Sequence, residues 1–371
     1  MICVMKLETA PVFEAFAPYR ISPVGAHTDH QGGLCSGLTL SEGITFRGRA
    51  TMDGSITVSS RDFAEVWSSS VQASPPLVGG WSAAVVGSWR AYAEGIRGAL
   101  SACRSLTRGL HGELQGTLPC GGIASSAALQ VVVLRALLAA NGLELSDAEA
   151  MVLVRDSERA VTGAPVGLLD PGVILHGRAR TLVVIDCAAA TVRGHRFAAR
   201  FPAHEWWLLD VGAPRELPAT PYAQRVHECA QAARVLGVEG EAPTLGRVSV
   251  ETLRRRRVQL SPLLIKRAEH VLSEIKRVRL AVNAVATGDL TAFAALMNAS
   301  AESLVQLFEV GLPQSIAQLR AARAVPGVLA ATFAGGGFGG HLLLLAHAGA
   351  EPALRRFASG AGCLLHQAHP S

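Results

Sequence analysis

The sequence predicts a protein of mixed α and β structure, organised as two domains or one large one. The chain has 371 residues, which is too long for a single small core. Segments with strand patterning and segments with helical spacing both recur along its length. Hydrophobic residues make up 49% of the chain and charged residues 17%, a composition that argues against disorder.

Charge and cysteine content restrict the class of partner only weakly. The net charge of +5 is mild, and a small anionic substrate needs only a local positive pocket. The run Arg254 to Arg257 favours a solvated helix face over a polyanion patch. Seven widely spaced cysteines without a CxxC pair argue against a disulfide framework and structural zinc. With neither a signal peptide nor a run of about 20 apolar residues, we expect a cytoplasmic protein.

The first distinctive segment is a strand that runs into a polar loop. Arg20 lies in the strand, and His27, Asp29 and His30 follow among prolines and glycines that disfavour a helix. Such donors and acceptors suit a polyhydroxy ligand. An ordinary polar loop is the alternative, and metal binding lacks a third ligand at a suitable spacing. Residues 38–60 then predict a β-hairpin that turns at Asp53-Gly54.

A helix over residues 81–100, with a core-facing aromatic stripe, precedes the stretch L-P-C-G-G-I-A-S-S-A-A-L at residues 118–129. Its glycines let the backbone approach a ligand, and an apolar helix follows over residues 127–140. The free N–H groups and positive dipole end of that helix would face the loop. This arrangement predicts a phosphate site, and a turn that merely caps a buried helix is the alternative.

Two acidic residues follow in unusual settings. A capping box of Ser146 and Glu149 begins a helix that ends near Gly163, so Glu158 falls in its last turn and opposes the helix dipole. A metal or cation would offset that cost. Asp170 is a lone acid in an apolar segment, where it either caps the next element, with Pro171 as the first residue, or has a functional role. Short strands are predicted at residues 173–175 and 181–186.

The second half begins near residue 198. Its pattern predicts strands at 205–211, 328–332 and 342–346, and helices at 222–236, 248–256, 261–286, 289–308 and 315–324. Between the last two strands lie five glycines in the six positions 335–340. Ordering so many glycines is costly, so we expect a loop that a backbone or ligand approaches closely.

Together, three of these stretches resemble the motifs of the GHMP small-molecule kinases, and among them the galactokinase group. The group's first motif, G-R-x-N-L-I-G-E-H-T-D-Y-x-G-G, corresponds to Y-R-I-S-P-V-G-A-H-T-D-H-Q-G-G at residues 19–33. The third, G-x-G-F-G-G, corresponds to residues 335–340. The resemblance implies an α+β GHMP-kinase-like fold with a ribosomal-protein-S5-like domain at 1–197, a ferredoxin-like α/β domain at 198–371, and an active site in the cleft between them.

The departures from these motifs bear on the substrate. Ala26 replaces a glutamate that in galactokinases lies by the C6 hydroxyl of the sugar, and its loss removes repulsion against a substrate carboxylate. The string is also similar to the plant galacturonokinase form, so we expect galacturonate. Galactose, another aldose, and a non-catalytic sugar and ATP sensor are the alternatives. Further departures are Cys120, Ala124 and Pro171.

The resemblance also implies the residue roles of an ATP- and Mg²⁺-dependent sugar-1-kinase. Asp170 would lie by the anomeric hydroxyl as base or electrostatic anchor, and Arg20 would stabilise the transferring charge. Contacts to the sugar are assigned to Ala26, His27, Asp29, Gly167 and Tyr222. The triphosphate loop is Cys120, Gly121, Gly122, Ile123, Ala124, Ser125 and Ser126. Magnesium ligands are Ser126 and Glu158. The loop that closes over the substrate and supports Asp170 includes Gly335, Gly336, Gly337, Phe338 and Gly339. We expect sugar and ATP as partners, no nucleic acid or membrane, and a monomer or homodimer.

Overall fold

Two β-sheets form the framework of the protein, which is represented by a computed structural model that describes residues 11–74, 88–212 and 221–371. Residues 81–87 of the first predicted helix lie outside these ranges. The first sheet has the order β4-β3-β5-β2-β6-β7, with β1 on β2. Its strands are β1 (Phe13–Ile21), β2 (Leu34–Thr51), β3 (Ser55–Ser60), β4 (Trp67–Ser70), β5 (Gly109–Gly116), β6 (Thr181–Asp186) and β7 (Thr191–Arg196).

The predicted hairpin at residues 38–60 is wrong in its pairing. Strands β2 and β3 are joined by a tight turn in which the Asp53 carboxylate accepts the Ser55 backbone N–H. However, β5 lies between them, antiparallel to β2 and parallel to β3. The turn residues specify the reversal of the chain. They carry no information about β5, which begins only at Gly109 and inserts between the two strands.

Four helices pack with this sheet: α1 (Trp89–Cys103), α2 (Ser125–Asn141), α3 (Asp147–Thr162) and α4 (Leu169–His176). Helix α2 is apolar on nearly all sides because it is buried against β1, β2, α1 and α3. The predicted capping box at the start of α3 is confirmed.

The predictions around Asp170 need correction. Residues 173–175 belong to α4 instead of a strand, since a three-residue apolar run has no period by which to distinguish the two. The N-cap of this helix is Leu168, so Asp170 is not its cap; it lies in the first turn of α4.

The second sheet has the order β11-β8-β10-β9. Its strands are β8 (His204–Asp210), β9 (Val328–Phe333), β10 (His341–His347) and β11 (Leu364–Ala368). Its helices are α5 (Tyr222–Val235), α6 (Val250–Arg256), α7 (Pro262–Thr287), α8 (Leu290–Ser303), α9 (Pro313–Arg323) and α10 (Glu351–Gly360). The strands β4, β5, β7 and β11 and the helix α10 were not predicted. The helix expected over 289–308 ends at Ser303 and continues as a π-helical turn, Leu304–Phe308.

Helix α7 and the C-terminal residue Ser371 connect the two halves of the chain. Val278 and Ala281 of α7 pack into the core of the first sheet, while Val271 and Ile275 of the same helix pack into the core of the second. The C-terminal residue returns to β2, where the Ser371 backbone N–H donates to the Thr39 carbonyl at 3.0 Å. We keep a division into domains 1–197 and 198–371 as a proposal. Across the described ranges, no helix has the length and apolarity needed to cross a bilayer.

Candidate active site

A cleft collects residues from all three glycine-containing motifs and from both halves of the chain. Its lining is Arg20, Ser22, Ala26, His27, Asp29, Ala124, Ser126, Glu158, Val166, Gly167, Leu169, Asp170, Pro171, Tyr222, Gly335, Gly336 and Phe338. The structure therefore brings together most of the residues that the sequence singled out, although some are separated by more than 300 positions.

Arg20 is the point where the motifs meet. Its side chain is buried near the end of β1, where it contacts Asp170 Oδ1 through Nε at 2.7 Å and Nη2 at 2.6 Å. Its Nη1 donates to the carbonyl oxygens of Gly122 at 2.7 Å and Ala334 at 3.0 Å. One guanidinium thus binds the phosphate loop, the segment before the third glycine motif, and Asp170.

Asp170 is held by Arg20 and is also accessible from the cleft. Its side chain is 31% exposed, whereas that of Arg20 is 6% exposed. Both of these Arg20 contacts are made to Oδ1, and neither is made to Oδ2. A carboxylate held rigidly at one oxygen and open to the cleft can position or deprotonate a ligand hydroxyl.

The loop from Gly25 to Gly33 adopts a constrained conformation. His27 has a left-handed φ of 60°, and its Nε2–H donates to the Gly336 carbonyl at 3.0 Å. Burial lowers the pKa of His27 to about 4, so the ring is neutral. Burial and the nearby Asp170 raise the pKa of Asp29. His27 therefore lies at the cleft as a neutral ring whose single N–H is bonded to Gly336, beside two carboxyl groups.

Gly167 lies in close contact with the Asp29 side chain, and this contact leads to a prediction. A Cβ atom at Gly167 would overlap the Asp29 carboxylate. Gly167→Ala is therefore expected to displace Asp29 and to raise the KM for the sugar about 10- to 100-fold, with the KM for ATP little changed. Gly360→Ala is the matched control, because a Cβ there meets nothing within 4 Å. Steady-state kinetics in both substrates test this, and an equal rise in both KM values would contradict it.

Helix α7, in the second half of the chain, forms hydrogen bonds with the loop from Gly25 to Gly33. The buried Glu274 carboxylate accepts the Gly25 backbone N–H at 2.7 Å, and the buried His270 Nε2–H donates to the Ala26 carbonyl at 3.2 Å. Phe308 from the π-helical turn lies between the His27 and His270 rings, with ring centroids 4.5 Å from each. Sequence reasoning did not place His270, Glu274 or Phe308 at the site, because each lies more than 240 positions along the chain from the loop residue that it contacts.

The buried imidazole of His27 and the half-buried imidazole of His30 in this loop predict an acid-sensitive fold. Burial lowers the pKa of His27 to about 4 and of His30 to about 3, from an ordinary 6.5. At a pH between the lowered pKa of each histidine and 6.5, the unfolded chain binds a proton at that histidine and the folded chain does not. The free energy of unfolding is therefore expected to fall as pH drops below 6.5, by up to about 1.4 kcal/mol per pH unit for each histidine.

Urea denaturation at several values between pH 7.5 and 5 measures this slope. His30→Gln should reduce it, while His227→Gln, at an exposed position on α5, should not. The raised pKa of Asp29 acts in the opposite direction, so the comparison between these two variants isolates the imidazole. An unchanged slope in His30→Gln would show that another group causes it.

The phosphate loop has the strained backbone expected of an anion site. Gly121, Gly122 and Ala124 have φ values of 136°, 78° and 58°, and α2 begins immediately afterwards. The Ile123 side chain is fully buried, so at this position only the backbone can face a ligand. The amides of this loop and the N-terminus of α2 therefore form a suitable cradle for phosphate.

The third glycine motif packs directly on this loop. A Cβ atom at Gly335 would lie 2.8 Å from the Gly122 Cα, and one at Gly340 would lie 3.0 Å from the Gly121 carbonyl carbon. His341 Nδ1–H also donates to the Gly121 carbonyl at 2.6 Å. These glycines are thus required for close backbone packing, and His341 is a supporting residue that sequence reasoning missed.

Ser126 and Glu158 form a pair of oxygen groups on the cleft wall. Ser126 Oγ donates to Glu158 Oε1 at 2.9 Å, and Gln130 Nε2 donates to Oε2 at 3.3 Å. A hydroxyl and a carboxylate suit Mg²⁺, which usually takes few protein ligands and completes its shell with phosphates and water. Among the described residues, no group of three or more His, Cys, Asp or Glu side chains could hold a metal alone. The pair therefore fits magnesium brought with a nucleotide.

Comparison with known proteins agrees with this geometry. The pattern of the GHMP kinases N terminal domain matches residues 89–178. The chain is 34% identical over 341 residues to the galacturonokinase of Arabidopsis thaliana, covering 87% of this chain and 80% of the relative. It is 28% identical over 342 residues to the galactokinase of Staphylococcus carnosus, and the match covers 91% of this chain and 86% of the relative. The structure of Lactococcus lactis galactokinase complexed with galactose matches with a TM-score of 0.87 at 25% identity. This match covers 98% of this chain and 94% of the galactokinase chain.

The chain belongs to the GHMP kinases, in their galactokinase family. The predicted α+β GHMP-kinase-like fold and the assignment as a kinase are confirmed. Membership of this family implies ATP as a substrate.

Proposed function

We propose that this enzyme transfers the γ-phosphate of ATP to the C1 hydroxyl of D-galacturonate and so produces galacturonate 1-phosphate. One observation carries the reaction: Arg20 contacts Asp170, the phosphate loop at Gly122 and Ala334 just before the third glycine motif. Asp29, from the loop between Gly25 and Gly33, lies close to the same Asp170. The choice of substrate rests on Ala26, which lines the cleft without a carboxylate. The 34% identity to a protein named galacturonokinase supports it.

In this proposal the reaction needs positioning and charge neutralisation more than covalent catalysis. Asp170 Oδ2 orients the C1 hydroxyl and accepts its proton, or acts only as an anchor for it. As the bond between the γ-phosphorus and the ADP oxygen breaks, the C1 oxygen bonds to phosphorus, and Arg20 stabilises the charge that moves. His27, Asp29, Tyr222 and the Gly167 backbone hold the sugar.

The backbone amides of residues 120–126 and the N-terminus of α2 hold the triphosphate. The side chains of Ser126 and Glu158 would hold Mg²⁺, which when bound neutralises negative charge on the phosphates. We further propose a cytoplasmic enzyme, consistent with the lack of disulfide bonds among the cysteines of the described ranges.

The assignment of Glu158 to magnesium gives a direct prediction. Glu158→Gln keeps the size of the side chain and one oxygen that can accept from Ser126 or Gln130, but it removes the charge. The Mg²⁺ concentration that gives half-maximal activity should rise about tenfold or more. Asp156→Asn, two residues earlier on the exposed side of α3, is the control. An unchanged magnesium requirement in Glu158→Gln would remove Glu158 from the metal site.

A coupled ADP-release assay over galacturonate, galactose and arabinose tests the substrate. We expect the highest kcat/KM with galacturonate, whose product should be identified as the 1-phosphate by phosphorus NMR. Galactose is the second candidate, because the Staphylococcus carnosus relative is named a galactokinase. Faster turnover of galactose would overturn the proposed substrate, and binding of sugar and ATP without turnover would favour the sensor.

A further inference from the structure

His30 carries a buried hydrogen-bond donor without a partner. The Leu245 backbone N–H donates to Gln31 Oε1 at 3.2 Å, which fixes the orientation of the Gln31 amide. Gln31 Nε2 then donates to His30 Nδ1 at 2.9 Å. The neutral imidazole must therefore carry its proton on Nε2, and that atom is buried without a hydrogen-bond partner.

The neighbours of His30 place this donor next to the cleft. The Tyr222 ring lies edge-on to the imidazole, with centroids 5.5 Å apart, and the His27 ring lies at 5.9 Å. Both of these residues line the cleft, as does Asp29. Because His30 Nε2 is buried, a ligand could reach it only if a neighbouring side chain such as Tyr222 moved. A buried unsatisfied donor is costly, and a ligand acceptor would remove that cost.

Arg159 supplies an unpaired positive charge at the same wall. Its Nε donates to the carbonyl of Val166, a residue that lines the cleft, at 2.8 Å. Throughout the part of the chain that the structure describes, no carboxylate forms an ion pair with it, whereas Arg155 one turn earlier pairs with Asp156. The charge of Arg159 is also close enough to influence the pKa values of His30 and Tyr222.

We propose that the His30 Nε2–H and the Arg159 guanidinium together receive the carboxylate of the sugar acid, and so act as specificity-determining residues. The inference rests on the proposed function, because it assumes that the substrate is a uronate. A neutral donor and a cation match the acceptor oxygens and the charge of a carboxylate, whereas an uncharged C6 hydroxyl would leave the guanidinium unpaired. Ala26 adds no further carboxylate to a cleft that already contains Asp29, Glu158 and Asp170.

The test is kinetic and uses Arg159→Gln, Arg159→Lys and His30→Phe with galacturonate and galactose. For Arg159→Gln we expect kcat/KM for galacturonate to fall about tenfold or more, chiefly because KM rises. The kcat/KM for galactose should change less than about threefold. Arg159→Lys should retain part of the preference. Arg155→Gln, on the same helix, should match the wild type. Because Arg159 is exposed, its variants give a result even if His30→Phe does not fold.

The outcomes separate this inference from the proposed function. If the wild type phosphorylates galacturonate but Arg159→Gln affects both sugars equally or neither, the carboxylate site is wrong and the function stands. If the wild type prefers galactose, galacturonate should still inhibit galactose phosphorylation competitively, and loss of that inhibition in Arg159→Gln would support the site without the function. A wild type that neither phosphorylates nor binds galacturonate overturns both.

Discussion

An Asp170→Asn variant is expected to lose about three orders of magnitude in kcat while it still binds ATP and the sugar. Asparagine has nearly the same shape as aspartate, but it cannot accept a proton or hold the charge of Arg20. Arg20 would keep its two carbonyl contacts, to Gly122 and Ala334, so the motifs should stay together. The loss should therefore fall on the chemical step instead of on binding.

Single-turnover kinetics and calorimetric binding of sugar and ATP measure the two effects separately. Thermal unfolding serves as a check, because the buried guanidinium loses its carboxylate partner, a change that costs stability. Asp186→Asn, at the end of β6 away from the cleft lining, is the control. A kcat within about tenfold of the wild type would limit Asp170 to a structural role.

Features set by neighbouring residues were predictable from the sequence. The capping box at Ser146 needs only residues three positions apart, and the apolar run after the phosphate loop could only be a buried helix. Asp170 was distinctive locally as a lone acid in an apolar segment, but the roles of Arg20 and Asp170 came from the motif resemblance. Nothing local to either residue shows that they form a pair across 150 positions.

Features that depend on distant partners were not predictable. The Gly25 amide is bonded to Glu274, which lies 249 positions away, and no local pattern marks that contact. The same holds for β5, which inserts between two strands that follow one another in the chain. Glycine density correctly indicated a close approach at residues 335–340, but entropy arguments alone could not distinguish an approaching ligand from the backbone of Gly121 and Gly122.

Ala26→Glu is the prediction that bears most directly on the substrate. Ala26 lines the cleft, and its carbonyl is held by His270, so a new side chain there would project from a fixed backbone position. A carboxylate about 5 Å from the substrate carboxylate, at an effective dielectric constant near 20, costs about 3 kcal/mol. We therefore expect kcat/KM for galacturonate to fall about 100-fold, with a much smaller change for galactose.

Ala26→Gln separates charge from volume, because glutamine fills the same space without the negative charge. If repulsion is the cause, glutamine should leave most of the galacturonate activity, and added salt should weaken the effect of glutamate only slightly in so enclosed a site. The ratio of the two kcat/KM values, measured for wild type and both variants, is the readout. Equal losses with glutamate and glutamine, or equal losses for both sugars, would mean that position 26 selects by size. The preference for a uronate would then have to arise elsewhere in the cleft.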